Sequence, residues 1–418
     1  MKFWKEQLSR LAALLVLAVF FSVMTRREEF PQDAAAAHDL VSSIAKDAKV
    51  MVAVRGVAED KAFAEALKAE LGSRAIEVVT GEPRDARKAL DRVSATGLDV
   101  IIGTQVTAEW LVFSDLKDVT LLKPSSRTWP VFLTRDNLLN IASQIAVIAI
   151  LAIGMTLVII AGGIDLSVGS LLALSAVVTT LLIQEYYGGS EKAGPAQMVM
   201  ASLCGMAVCF VSGLLTGGII TRLRMPPFIV TLAMMLVGSG LAYRLADNQS
   251  VYQVPESFIW LGRGADLMNV PNAVVLMLLL YAAAHVMMTQ TAFGRHLYAV
   301  GGNAEAALVS GVPVKRVTVI AYALCGLLAG LGGVVMASQL KSGSGTFGAK
   351  YELYAIAAAV VGGTSLSGGR GTMPGTLIGA FIIAVIQNGM NLTNVESNTQ
   401  NIVLGLVILA AVAMERKK

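Results

Sequence analysis

The sequence predicts an all-α polytopic membrane protein of about ten transmembrane helices, with a small α/β insert between the first and second. Three observations lead there. Hydrophobic residues make up 55% of the 418 residues and charged residues 15%, which is too apolar for a soluble domain of that length. Apolar runs near twenty residues recur, and each can cross a hydrocarbon core of about 30 Å as a helix. One stretch, 26–130, breaks the pattern: it is rich in charge and alternates strand-like with helix-like segments.

The first element is the run at 8–24, preceded by Lys2, Lys5 and Arg10. It has the charged head and apolar run of a signal peptide, but it ends in Met24-Thr25-Arg26-Arg27 with no small-residue cleavage site. It therefore reads as an uncleaved membrane helix, making 1–25 the first segment. In the insert, 50–54 reads as a buried strand and 59–71 as an amphipathic helix stopped by Gly72. Strands follow at 75–80, 98–104 and 119–122, with helices at 83–93 and 106–113. Such alternation argues for a parallel sheet. The remainder, 131–418, holds apolar spans near 138–160, 166–184, 197–220, 227–244, 271–289, 316–339, 352–366, 373–390 and 400–415. The span at 352–366 is short and ends in glycine, so it reads as re-entrant or broken.

Lysine and arginine in the short loops set the orientation. With the N-terminus in the cytoplasm, ten crossings return the C-terminus there. The inner loops then carry Arg222, Arg224, Arg295, Lys315, Arg316 and Arg370. The outer loops, 185–192, 247–266 and 391–399, are mixed or acidic. Lys341, Lys350, Arg26 and Arg27 run against the trend. The insert falls on the extracytoplasmic side.

The longest inner loop, 291–316, is too charged for lipid. At its centre Glu305-Ala306-Ala307 is followed after three residues by Gly311. Glu305 offers a polar contact, Ala306 and Ala307 permit close approach, Gly311 lets the chain turn, and Arg295 and Lys315 hold the ends near headgroups. This is the pattern of a surface helix that docks on a cytoplasmic partner, with Asn303 just ahead of it.

Other residues invite two readings each. Asp165, followed by Ser167 in an apolar setting, is a capping or gate residue, an acid in the inner headgroup layer, or a solute contact. Tyr351, Glu352 and Tyr354 either line an entry vestibule for a solute with apolar faces and a polar rim or form an interfacial aromatic belt with one solvated acid. Asn388 is a weaker path candidate. Cys204, Cys209 and Cys325 lie in apolar spans without ligand spacing, and His38, His285 and His296 are scattered. Neither set suggests a metal site or a catalytic centre. Residues 343–348 fit GxGxxG, but no strand–helix unit surrounds them, so they read as a glycine-rich outer loop. Residues 363–370 lack the GK[ST] ending of a phosphate loop. No basic, aromatic-interleaved patch suggests nucleic acid.

The segment 293–312 resembles the coupling segment of ABC-importer permeases, in particular those for ribose, xylose and related simple sugars. Residues 161–170 are similar to the signature after that family's second span, and 355–372 and 387–392 resemble its C-terminal blocks. The resemblance covers about 131–418 and is nearest to ribose-type permeases; the insert departs from it. It implies an inner-membrane permease subunit, working by alternating access as two copies. It also implies cytoplasmic ABC ATPase subunits and an extracytoplasmic sugar-binding protein as partners. This chain would bind no cofactor, since ATP and magnesium belong to the ATPase. Related architecture serves nucleosides and other small polar solutes. An ion-driven secondary transporter and a membrane-anchored sensor are the rivals from other classes.

Overall fold

A computed structural model describes residues 2–93, 97–114, 116, 119–189 and 193–415. Lys192 and residues 416–418 lie outside them. The chain divides into two compact units, one running to Thr25 and resuming at Phe132, the other Arg26–Val131.

The second unit is a parallel α/β domain closed by an antiparallel clasp. Strands β1 (Arg26–Glu29) and β6 (Arg127–Pro130) pair, with Arg26 opposite Pro130. Between them lie α2 (Ala34–Ser42), β2 (Val50–Val54), α3 (Ala58–Leu71), β3 (Ala75–Thr80), α4 (Pro83–Val93), β4 (Val100–Gly103), a short α5 (Gln105–Ala108) and β5 (Thr120–Leu122). The sheet order is β3-β2-β4-β5, all parallel. Alternation sorts the central strand: Val50, Val52 and Val54 pack with α2 and α3, while Met51 and Ala53 pack with α4 and Phe113. Buried Asp60 accepts from the Arg55 Nε at 2.8 Å, its Nη2 at 3.0 Å and its backbone N–H at 3.1 Å. Removing that carboxylate releases the solvent-exposed guanidinium to water and leaves the Arg55 amide without its partner. We expect Asp60→Ala to destabilise the insert by about 2 kcal/mol, read as faster hydrogen exchange of the β2 amides.

The helix predicted at 106–113 is instead α5 followed, after Trp110, by a 3₁₀ turn at Leu111–Phe113. Three elements of the insert escape the sequence reading: α2, β1 and β6. Helix α2 is announced only by Asp33, whose side chain accepts from the Ala36 N–H. Strand β1, Arg-Arg-Glu-Glu, has no alternation at all and is specified by its pairing with β6.

The first unit is a helical bundle: α1 (Lys2–Met24), α6 (Arg135–Ile160), α7 (Val168–Leu181), α8 (Pro195–Leu223), α9 (Pro227–Leu245), a one-turn α10 (Trp260–Arg263), α11 (Asn272–Gln290), α12 (Ala292–Gly302), α13 (Ala304–Val309), α14 (Val314–Leu340), α15 (Tyr351–Val361), α16 (Met373–Leu392) and α17 (Ser397–Glu415). All ten predicted spans are helical. Among the described residues, 8 helices are long and apolar enough to cross a membrane; α15 and the apolar part of α17, Ser397–Ala413, are shorter. Helix α6 is the central post, buried almost continuously from Ile145 to Ile160. Helices α8 and α14 touch backbone to backbone through glycine. A Cβ on Gly330 would lie 2.9 Å from the Met206 Cα, and one on Gly217 would lie 2.8 Å from the Val319 Cα.

The glycine-rich stretch 343–348 is a loop without helix or strand, as expected, but it is packed into the bundle. Ser342, Gly343, Ser344 and Gly348 are buried. A Cβ on Gly343 would lie 2.8 Å from the Ala176 carbonyl oxygen; one on Gly348 would lie 3.1 Å from the Leu172 side chain. The chain thus descends along α7 by about 10 Å before α15 begins. An extended segment and an 11-residue helix share the space of one span. Irregular backbone is tolerated there because protein, not lipid, surrounds it.

Candidate functional site

Helices α12 and α13 form a bent pair set by Asn303, which closes the first and caps the second. Its backbone is extended, and its side chain accepts from the Ala306 N–H at 2.9 Å. At the far end Gly311 takes a left-handed conformation with φ 84°, which glycine adopts without strain. The Gly311 N–H donates to the Leu308 carbonyl and the Val312 N–H to the Ala307 carbonyl, both at 3.0 Å, the Schellman arrangement. Arg295, Asn303, Glu305, Ala306, Gly311 and Lys315 are exposed, whereas Ala307 is buried beneath the turn. Close approach by a partner is therefore available at Ala306 and not at Ala307. Leu308 and Val309 are 63% and 89% exposed. An apolar pair at the tip of an otherwise polar helix is a contact surface that the EAA pattern did not single out.

The C-terminal end of α12 is knotted to two other segments. A Cβ on Gly301 would fall on the Ile160 carbonyl oxygen, which itself accepts from the Gly369 N–H at 2.9 Å. A Cβ on Gly368 would lie 2.8 Å from the Gly301 carbonyl oxygen and 3.2 Å from the Gly162 Cα. The Tyr298 hydroxyl donates to the Gly371 carbonyl at 2.8 Å. The stretches 161–170, 291–316 and 363–371, singled out separately in the sequence, thus meet at one point. Helix α1 joins them: Gln7 Nε2 donates to Thr372 Oγ1 at 3.0 Å, and the Arg10 guanidinium packs where Gly363 and Gly375 lack side chains.

Asp165 sits beside this knot, fully buried. Its Oδ1 accepts from the Ser167 N–H at 2.9 Å and the Ser167 hydroxyl at 2.6 Å. Its other oxygen makes no regular hydrogen bond among the described residues, and the Cys325 thiol interacts with the carboxyl. Burial pushes the carboxyl above the usual carboxylate range, and the Ser167 bonds oppose that shift. Asp165 therefore shapes the turn into α7 and opens on neither of the cavities described next.

At the opposite end of α6 lie two adjoining cavities of about 470 and 290 Å³. Tyr351 and Tyr354 line the smaller one. Glu352 does not; its carboxylate lies against Gly169 at the start of α7, where the helix dipole favours it. Asn388 is locked in a buried reciprocal amide pair with Asn137, at 2.9 and 3.1 Å. Its neighbour Gln387 lines the cavity instead, together with Gln144 and Gln339. Gln144 could have been found in the sequence: Asp136, Asn140 and Gln144 recur at four-residue spacing at the head of an otherwise apolar span.

The family described as "Branched-chain amino acid transport system / permease component" matches residues 137–412. The ribose import permease protein of Bacillus subtilis is 43% identical over 302 residues, covering 72% of this chain and 89% of that protein. The D-allose transport system permease protein of Escherichia coli is 34% identical over 285 residues (68% and 85%). The L-arabinose ABC transporter permease protein of Azospirillum brasilense is 36% identical over 298 residues (71% and 85%). No solved structure matches. The insert lies outside the matched region. From Asn137 to Val412 the alignment takes in the central post, the glycine knot and the α12–α13 pair, and the chain belongs to this family of transport-system permeases.

Proposed function

We propose that this chain is the permease subunit of a binding-protein-dependent ABC importer, moving a monosaccharide of the ribose class by alternating access. Two copies line the path. A separate ATPase chain, carrying ATP and magnesium, grips α12 and α13. Both termini lie on that cytoplasmic side of the inner membrane, and the insert lies on the other, where the sugar-binding protein docks. The insert positions that protein. The reading rests above all on one observation. A bent helical pair offers Glu305, Leu308 and Val309 to a partner, and its root at Gly301 is packed without slack against the turn between α6 and α7 and against the 363–371 loop. A push on the pair reaches the bundle directly.

The test is reconstitution with the cognate ATPase and binding protein, comparing wild type with a Glu305→Ala, Gly311→Val double variant. Valine at φ 84° is strained, so the α13 turn opens. ATPase co-purification should be lost and sugar uptake should fall at least about tenfold, a loss of about 1.4 kcal/mol or more, with the bundle's melting temperature unchanged. Normal assembly and uptake in the double variant would refute the coupling role. Uptake that persists without the ATPase and collapses with the ion gradient would identify a secondary transporter.

A further inference from the structure

Helix α6 carries its polar residues as a stripe. Asp136, Asn140 and Gln144 lie four residues apart, so they share one face, and all three are exposed although the helix beyond them is buried. Asp136 and Asn140 line the larger cavity, and Gln144 and Gln339 line both. The two are therefore successive parts of one cleft. Its mouth holds the charges, Asp136 and Arg263. Its inner part holds none: the polar groups there are the amides of Gln144, Gln339 and Gln387 and the phenols of Tyr351 and Tyr354, above a floor that includes Ile145 and Ile148. From Ile148 to the knot at Ile160, α6 runs about 18 Å, and its residues there are buried.

Two of the three amides are held in place. Gln144 Nε2 donates to Asn140 Oδ1 and Gln339 Nε2 to the Ser143 carbonyl, both at 3.1 Å. Each bond uses one of the two N–H donors, so the second N–H and the oxygen of each amide remain for other partners. An amide offers both donor and acceptor, so it suits hydroxyl groups in either sense. It gives an ion no counter-charge, and an unpaired charge at this depth is costly. The tyrosine rings, 6.1 Å apart and edge to face, supply apolar surface for C–H groups.

We propose that the inner cleft is a solute station in which Gln144, Gln339 and Gln387 select an uncharged, polyhydroxylated solute about the size of one sugar ring, while Asp136 and Arg263 filter ions at the mouth. The station rests on the reading of the chain as a sugar permease and adds where, and by which groups, the solute is recognised in transit.

The assay is uptake of D-ribose and 2-deoxy-D-ribose into proteoliposomes holding the permease, its ATPase and saturating binding protein. Gln144→Leu, Gln339→Leu and Gln387→Leu should each lower ribose uptake by about tenfold or more, since each would leave a solute hydroxyl unpaired. Binding-protein-stimulated ATP hydrolysis should stay within about twofold of wild type. Each variant should also narrow the wild-type preference for ribose over the deoxy sugar, a change that mere loosening of the bundle would not produce. Should a leucine variant fail to assemble, Gln387→Cys gives a second reading. A small thiol reagent should label it, and ribose delivered with ATP should slow the labelling. Wild-type uptake and wild-type sugar preference in all three leucine variants, or labelling that ribose does not slow, overturns the station. A wild-type complex that carries no sugar overturns the underlying permease reading instead.

Discussion

Gly301→Ala should reduce transport at least about tenfold, while Gly302→Ala, one residue away, should leave it unchanged. In a helix either change alone would favour folding by about 1 kcal/mol, because alanine is the better helix former. Packing reverses the sign at one position only. A Cβ at 302 meets nothing within 4 Å, whereas a Cβ at 301 lands on the Ile160 carbonyl oxygen. To admit it, either the Gly369 N–H to Ile160 bond breaks or α12 lifts from the turn. The first leaves the carbonyl of buried Ile160 unmatched, at about 1–3 kcal/mol, and frees the N–H of half-buried Gly369; the second detaches the α12–α13 pair from the bundle. Both outcomes spare the hydrophobic core. Uptake and solute-stimulated ATP hydrolysis should therefore fall while the melting temperature changes little. Equal behaviour of the two alanine variants would refute the knot as the transmitting contact.

Gly326→Val should instead damage the bundle itself. A side chain there would run into the Cys209 carbonyl and come within 3.2 Å of the Gly213 Cα. Its neighbours are helix backbone, which cannot rotate away as a side chain can. Overpacking ordinarily costs about 1–3 kcal/mol, and separating α8 from α14 would also loosen Gly217 and Gly330, which depend on the same approach. We expect a lower melting temperature in detergent and a smaller yield of folded protein. Gly218→Val on α8, where nothing lies within 4 Å, is the control and should be tolerated. A thermally normal Gly326→Val protein would show that the two helices can separate at little cost.

Much of this architecture was legible before any coordinates. Hydropathy marked the ten apolar helices, eight of them at the length a bilayer imposes, and strand–helix alternation marked the insert because a parallel sheet needs crossovers. What escaped was whatever depends on contacts between distant segments. Glycines 162, 301 and 369 were visible as motif residues, yet no local pattern says that they meet. Asn388 was named where Gln387 lines the cleft, because one residue on a helix turns the side chain by about 100° and only the packing of α16 against α6 fixes which amide turns inward. The stretch 343–348 reads as an outer loop because its small glycines sit in no strand–helix unit, and no local pattern says that the loop is buried. Here the same smallness lets the backbone slide down α7. Glu352 was placed by its neighbours in sequence, but it lies on the opposite side of α15 from the cavity that Tyr351 and Tyr354 line.

The clasp between β1 and β6 has a consequence for how this chain can change. Arg26 and Pro130 are paired residues on adjacent strands, so the insert's two ends lie about 5 Å apart. In the host, the Phe132 N–H donates to the Thr25 hydroxyl at 3.2 Å. The hundred-odd residues between those points leave and return through a gap hardly wider than one peptide unit. The domain is thus a cassette on a closed seam. Removing it would leave two ends close enough to be joined once, by a single new peptide link.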